Sequence, residues 1–139
     1  MEVLLLKKKV MIVVIIVLIL LFPFFKNTFK KYMAPDKVLV VGHHISDHAF
    51  TFTKEIKDQK KIAEYENLFN QIKFSRGECD EDTYPDIILQ INHKTGIFTH
   101  PLHIWMKGDE GIALIWTLEE PEIGKLSSSQ VETLKRIIQ

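Results

Sequence analysis

The sequence predicts an α+β protein in which an N-terminal transmembrane helix precedes a small two-layer domain. That domain is expected to hold a mainly antiparallel five-stranded sheet and two helices, in the order β-β-α-β-β-β-α. Three observations lead to this fold class. Residues 10–25 carry no charged, hydroxyl or amide side chain, several later runs alternate apolar and polar residues, and two stretches repeat apolar residues at helical spacing.

The apolar run from Val10 to Phe25 is short for a membrane span, because a span takes about 20 apolar residues. Lysines at positions 7, 8 and 9 extend its reach, since their stems can lie along lipid while their ammonium groups contact head groups. The predicted division of the chain is therefore a basic flank at 1–9, a transmembrane anchor at 10–25, a stem at 26–37 and a soluble domain at 38–139.

A cleaved signal peptide is the alternative interpretation of this N-terminus. The basic and apolar regions of a signal peptide are present, but no Ala-x-Ala cleavage pattern follows them. Three lysines flank the apolar run on each side, and the compact group of three before it favours an N-terminus inside the cell. We thus predict a single-pass protein of the cell membrane with an extracytoplasmic domain, and inverted topology with a cytoplasmic domain stays open.

Charge is distributed unevenly along the chain. The whole sequence has 18 basic and 18 acidic residues, yet from Ala34 onward 17 acids face 12 bases. An acidic domain repels phosphate backbones, so nucleic acid is excluded as a partner. Cys79 is the one cysteine, which excludes an internal disulfide, and its acidic neighbours disfavour a reactive thiolate.

The first half of the domain is expected to form a hairpin and a helix. Val38 to Val41 is a β-branched apolar run, and Phe50 to Thr53 alternates apolar with hydroxyl residues. Asp58 is placed to cap a following helix, which is expected to end near Phe74. The apolar stripe of that helix consists of Ile62, Tyr65, Phe69 and Ile72.

The second half is expected to supply three strands and the last helix. The strands are predicted at Asp86 to Asn92, Ile97 to Met106 and Ile112 to Leu118. Pro121 and Gly124 then indicate a loop. Ser127 and Gln130 have the spacing of a capping box, which predicts the start of a helix.

Four short stretches carry a family resemblance: Lys60 to Phe74 leading to Gly77, Tyr84-Pro85-Asp86, Ile104-Trp105 and Leu126-Ser127. In these stretches the chain resembles the YhfM-like domain of Gram-positive envelope proteins, a domain of unknown function. The resemblance implies an envelope location and an α+β fold, but no substrate and no functional residue. Members of that family are anchored by a lipid on a cysteine, whereas this chain has an apolar segment.

Histidines are the candidate metal ligands, and they fall into two groups. The metal-site prediction rests on His43, His44 and His48, which cluster in the first predicted hairpin; the second group is His93, His100 and His103. No HExxH or paired Cys-x-x-Cys motif accompanies them. No cofactor is predicted.

No nucleophile, acid/base pair or phosphate-binding motif is recognisable in the sequence, so we predict that the protein is not an enzyme. The predicted function is a non-enzymatic interaction module of the bacterial cell envelope, with the lipid bilayer and an envelope protein as partners. Trp105 and Trp116 lie on neighbouring predicted strands, where aromatic residues usually form core or cross-strand pairs. If either is exposed, it is a candidate contact for a partner or for glycan stacking. A histidine-based metal-binding or sensing domain is the alternative.

Overall fold

The computed structural model describes residues 10–17, 19–23, 33–46, 49–79 and 83–139. The chain forms two compact units, Met1–Ala34 and Pro35–Gln139. Helix α1 lies in the first unit, at residues 10–17 and 19–23. The second unit contains seven strands and two helices: β1 (Lys37–Ser46), β2 (Ala49–Ile56), α2 (Gln59–Gln71), β3 (Ser75–Arg76), β4 (Ile87–His93), β5 (Leu102–Lys107), β6 (Glu110–Trp116), β7 (Pro121–Leu126) and α3 (Ser128–Ile138).

The N-terminal segment corrects one prediction. Within the described ranges, no helix combines the length and the apolar character that crossing a bilayer requires. The predicted transmembrane anchor at 10–25 is therefore wrong, and with it the lipid bilayer as partner and the single-pass, extracytoplasmic location. Phe24 and Phe25 lie outside the described residues.

The sheet is larger than predicted. Its seven strands run in the order β2-β1-β4-β5-β6-β7-β3, and every neighbouring pair is antiparallel. The prediction of five strands is wrong because β7 was interpreted as a loop and β3 has only two residues. Pro121 begins β7, where a missing N–H is tolerated. Gly124 is required there, since a Cβ at this position would overlap Cγ2 of Ile72.

Helices α2 and α3 pack on one face of this sheet. Ile62, Tyr65 and Leu68 of α2 and Val131, Leu134 and Ile137 of α3 belong to one buried cluster with strand residues such as Leu39, Leu89 and Leu102. The apolar pattern predicts a mostly buried set, and the structure confirms it at most positions but leaves Phe69, Ile87 and Ile112 only partly buried. The predicted set is Ile62, Phe69, Ile72, Ile87, Leu89, Ile91, Ile104, Ile112, Leu114, Leu134 and Ile137.

Local signals set the starts of both helices as predicted. The Asp58 side chain accepts a hydrogen bond from the Lys60 N–H at 2.9 Å and caps α2. Ser127 and Gln130 form the reciprocal capping box at the start of α3. The end of α2 differs from its prediction, because the helix stops at Gln71 and Ile72 takes an extended conformation.

Candidate functional site

The two faces of the sheet are covered by different parts of the chain. Residues directly opposite each other on neighbouring strands point to the same face. Leu39, Leu89 and Leu102 point to the helices. We call this side of the sheet the helix face. Ile88 pairs with His103, and His103 pairs with Leu114, on the opposite face, which we call the outer face.

Residues 77–79 and 83–86, between β3 and β4, form a covering segment over part of the outer face. The Trp105 indole N–H donates to the Thr83 carbonyl oxygen at 2.7 Å, and the Met106 N–H donates to Oδ2 of Asp86 at 2.6 Å. At the other end of the segment, the Gly77 N–H donates to the Pro121 carbonyl oxygen at 3.2 Å. These bonds explain why Trp105 is only 8% exposed on a face that no helix covers.

Segment and sheet together enclose a cavity of about 550 Å³, which we call the outer-face cavity. Its walls combine aromatic rings, imidazoles and one carboxylate. The lining residues are His44, Glu78, Cys79, Thr83, Tyr84, Pro85, His103, Trp105, Leu114, Trp116 and Pro121.

His44 is the most constrained polar side chain of this cavity. Its ring stacks on Tyr84 with centroids 5.2 Å apart and an interplanar angle of 6°, and its centroid lies 5.8 Å from that of His103. Nδ1 is 3.2 Å from the Ser46 carbonyl oxygen. Nε2 is enclosed and has no hydrogen-bond partner among the described residues. An enclosed polar atom without a partner is uncommon and marks His44 as a functional candidate.

His103 is held neutral by its surroundings. Burial, and in second place the nearby His44, lower the pKa of the His103 imidazole to about 4. Phe50 contributes to this apolar environment, with its ring centroid 6.2 Å from that of His103. At neutral pH the cavity therefore presents an uncharged imidazole beside the unpaired nitrogen of His44.

The structure brings some of the predicted site residues together and separates others. His44, Trp105 and Trp116 all line the outer-face cavity. His43 does not line this cavity, because adjacent residues of a strand point to opposite faces of the sheet. It lies opposite Thr51 of β2. His48 lies outside the described residues. In the described part of the chain, no three His, Cys, Asp or Glu side chains are close enough to hold a metal ion.

Two residues of the site were not predicted as site residues. His103 was assigned to a separate histidine group, and Tyr84 entered only through the family resemblance. Positions 103 and 105 share a strand face by simple alternation, which is the sequence signal that could have joined His103 to Trp105. No such signal relates His44 to Tyr84, because their contact depends on the path of the covering segment.

A second cavity, of about 440 Å³, opens beside α2 on the helix face. Polar side chains share its lining with apolar ones: Tyr65, Glu66, Asn67, Phe69, Asn70, Ile91, Thr99, His100 and Ile115. Glu66 pairs with Lys37 at 2.5 Å, and burial raises the pKa of the Tyr65 phenol well above its usual range. Glu66 and His100 are the carboxylate and the imidazole that line this helix-side cavity.

Comparison with known proteins bears on the fold. No family model matches the chain, and no curated protein matches it. Among solved structures, a thioesterase-like protein from Clostridium sporogenes ATCC 15579 matches with a TM-score of 0.51 at 16% identity, over 76% of this chain and 97% of that one. An identity this low shows a shared fold alone, the hot-dog arrangement of an antiparallel sheet and a packed helix. The predicted transmembrane and five-stranded architecture is replaced by this fold.

Proposed function

We propose that the protein is a small-molecule binding module and that its site is the outer-face cavity. The predicted interaction module with an envelope protein as its partner stays a prediction beside it. The observation that carries it is a cavity of about 550 Å³ whose lining combines the aromatic residues Tyr84 and Trp116 with the imidazoles of His44 and His103. Ligand pockets of this size combine apolar walls with a few convergent polar groups.

The hydrogen bonding of His44 fixes what the unpaired nitrogen can do. A carbonyl oxygen only accepts, so the contact with the Ser46 carbonyl requires the proton on Nδ1. In the neutral ring Nε2 is then a lone-pair acceptor. A buried acceptor without a donor costs about 1–3 kcal/mol, and because Nε2 has no accessible surface this cost falls on the stability of the folded protein.

Aromatic walls supply the remaining affinity. Trp116 is 56% exposed and Tyr84 is 50% exposed, so both leave apolar ring surface open to a ligand. Covering such a ring contributes about 25 cal/mol for each Å² removed from water. This exposed surface gives Trp116 a role in small-molecule binding, whereas Trp105 is 8% exposed and contributes little open ring surface.

A fragment screen on the full chain tests this function, with binding read by ligand-observed NMR and by tryptophan fluorescence. Fragments should bind the parent protein, and the same fragments should not bind His44→Phe. His43→Phe is the matched control, because His43 is the next residue along β1 and points to the opposite face. Fragments that bind His44→Phe as tightly as the parent, or a screen without any binder, would contradict the proposal.

Thioester hydrolysis is a second candidate, supported by the description of the Clostridium sporogenes protein as thioesterase-like. The groups available for it are the Glu66 carboxylate and the His100 imidazole, which both line the helix-side cavity. A carboxylate and an imidazole are the usual means of activating water or a nucleophile. The prediction that the protein is not an enzyme stands against this candidate.

Turnover of acyl-coenzyme A thioesters by the full chain tests the second candidate, with the released thiol as the readout. Glu66→Gln should abolish turnover, whereas Glu64→Gln should not, because Glu64 pairs with Arg136 outside this cavity. Equal rates in both variants would rule out Glu66 as the catalytic base.

The metal-binding alternative and the YhfM-like resemblance stay predictions. Among the histidines that the structure describes, the ring of His44 lies 5.8 Å from that of His103, and a zinc site takes three or four protein ligands. Calorimetric titration of the full chain with zinc tests this alternative. A heat of zinc binding that is measured for the parent and is absent for His44→Phe would favour the metal-binding alternative.

A further inference from the structure

We propose that the tip of the β6–β7 hairpin is a docking surface for an arginine-containing segment of a partner protein. The surface consists of Tyr84, Trp116 and Leu118 together with the carboxylates of Glu119 and Glu120, and we call it the hairpin-tip patch. This inference goes beyond the proposed function, because Leu118, Glu119 and Glu120 are not among the described residues that line the outer-face cavity.

The apolar part of the patch lies largely in solvent. Leu118 is 96% exposed, and Trp116 and Tyr84 each leave at least half of their surface exposed. Trp116 and Tyr84 line the same cavity, and Leu118 follows Trp116 by two residues, so the three side chains belong to one region of the surface. A group of exposed large apolar side chains beside polar ones is typical of an interaction site.

Hydrogen bonds hold the patch in place. The Thr117 hydroxyl donates to the Glu120 carbonyl oxygen at 2.7 Å and closes the turn. Trp116 lies opposite Pro121 at the end of the β6–β7 pairing. The Gly77 N–H donates to the Pro121 carbonyl oxygen at 3.2 Å, which joins the hairpin to the covering segment. A surface that is ordered before binding loses less conformational entropy when a partner docks.

Charge at the patch is negative. Arg76 lies 3.3 Å from a carboxylate oxygen of Glu119 and 3.5 Å from one of Glu120, and all three side chains are more than half exposed. Two carboxylates thus share one guanidinium, which leaves one negative charge unbalanced. The surrounding sequence has the same sign, since residues 77–93 and 108–124 contain acids but no lysine or arginine.

These two properties select the chemistry of the partner. Negative charge repels phosphate groups and a second copy of the same patch, whereas it attracts a basic segment. Arginine suits the patch better than lysine, because its planar guanidinium can stack on an aromatic ring and also donate to carboxylates. Trp116 offers the ring, Glu119 and Glu120 offer the carboxylates, and Leu118 offers an apolar contact to an aliphatic neighbour of the arginine.

Selection of random peptides displayed on phage against the immobilised full chain tests the inference. Enriched peptides should carry arginine next to an aliphatic or aromatic residue. Fluorescence anisotropy then measures the affinity of one enriched peptide and of versions with lysine or glutamate in place of arginine. The lysine version should bind more weakly, and the glutamate version should bind at least about 10-fold more weakly.

Variants of the full chain locate the binding. Leu118→Ser should weaken binding of the enriched peptide at least about 10-fold, as expected for an interface anchor. Arg76→Gln should strengthen binding about 2- to 5-fold, because both carboxylates are then available to the peptide. The double variant Glu119→Gln, Glu120→Gln should weaken binding and reduce its dependence on salt.

Ile97→Ser and Glu132→Gln are the matched controls. Ile97 is an exposed apolar residue between β4 and β5, and Glu132 is an exposed acid of α3, so both variants should bind the peptide like the parent. No enriched peptide, enrichment without arginine, or equal binding by Leu118→Ser and the parent would overturn the inference. Because Leu118 does not line the outer-face cavity, Leu118→Ser should still bind the fragments that test the proposed function.

Discussion

The imidazole of His44 lies parallel to the phenol ring of Tyr84, with the two ring centroids 5.2 Å apart. His44 belongs to a strand at one side of the sheet, whereas Tyr84 belongs to the segment that crosses the outer face. The stack therefore fixes the covering segment at one side of the cavity, while the hydrogen bond from Trp105 to Thr83 fixes it from the sheet below. Both contacts are needed to give the cavity a wall.

Loss of this stack should weaken the domain. Tyr84→Ala is expected to lower the free energy of unfolding by about 1 kcal/mol, the usual contribution of an aromatic pair. Tyr84→Phe keeps the ring and should unfold like the parent. Urea denaturation of the full chain measures both variants, and a Tyr84→Phe loss as large as that of Tyr84→Ala would show that the phenol hydroxyl, rather than ring stacking, stabilises the segment.

Acid should destabilise the protein through His103. Its pKa is lowered to about 4 in the folded state, whereas an unfolded histidine titrates near about 6.5. The unfolded chain therefore takes up the proton first as pH falls. The stability due to neutral His103 is complete above about pH 6.5 and is lost as pH falls towards about 4. Because His103 is only partly buried, we expect a loss of about 1–2 kcal/mol.

Urea unfolding of the parent and of His103→Phe at about pH 7.5 and about pH 5 measures this effect against the reference histidine pKa. Carboxylates that titrate in the same range affect both proteins equally. The difference between the parent and His103→Phe in the free energy of unfolding lost on acidification therefore isolates the contribution of His103. His43→Phe is the control and should follow the parent. If the parent and His103→Phe lose equal stability when the pH is lowered, His103 is not the cause of the acid sensitivity.

Packing of α2 should depend on Ile62 more than on Phe69. Ile62 is 1% exposed, whereas Phe69 is only partly buried at the edge of the core. We expect Ile62→Ala to cost about 3 kcal/mol, within the range for fully buried aliphatic side chains. Phe69→Ala should cost about 1–2 kcal/mol, below the range for a fully buried phenylalanine. Chemical denaturation compares the two, and the reverse order would place the helix in a different register.

Substitutions at Gly124 and Ile72, made singly and together, should reveal the contact between β7 and the end of α2. A Cβ at Gly124 would overlap Cγ2 of Ile72, so Gly124→Ala is expected to cost about 1–3 kcal/mol. Ile72→Ala removes the obstructing methyl and costs stability by itself. The double variant should be more stable than the sum of the two losses predicts. Strict additivity in this double-mutant cycle would show that the two residues do not meet.

Local signals determined the parts of this protein that depend on a few neighbouring residues. The caps at Asp58 and Ser127 each bond backbone N–H groups within three residues, so their spacing in the sequence was enough to place both helix starts. Gly96 and Gly108 have positive φ angles of 86° and 67°, in the two turns where the sequence placed glycine.

The number of strands was decided by tertiary contacts. Pro121 and Gly124 have low intrinsic strand propensity, yet β7 forms because β6 pairs with it along its whole length and Gly124 fits against Ile72. Composition likewise recorded the apolar character of residues 10–25, but composition does not give the length of a helix.

The candidate site was also decided by tertiary structure. Proximity in sequence grouped His44 with His43 and His48, although alternation along β1 turns His43 to the other face. The structure instead joins His44 to Tyr84 of the covering segment and to His103 and Trp105 of β5, two parts of the chain far from His44 in sequence. Their meeting depends on sheet register and on the path of the covering segment. Neither is a local property, because each is fixed by hydrogen bonds between residues far apart in sequence.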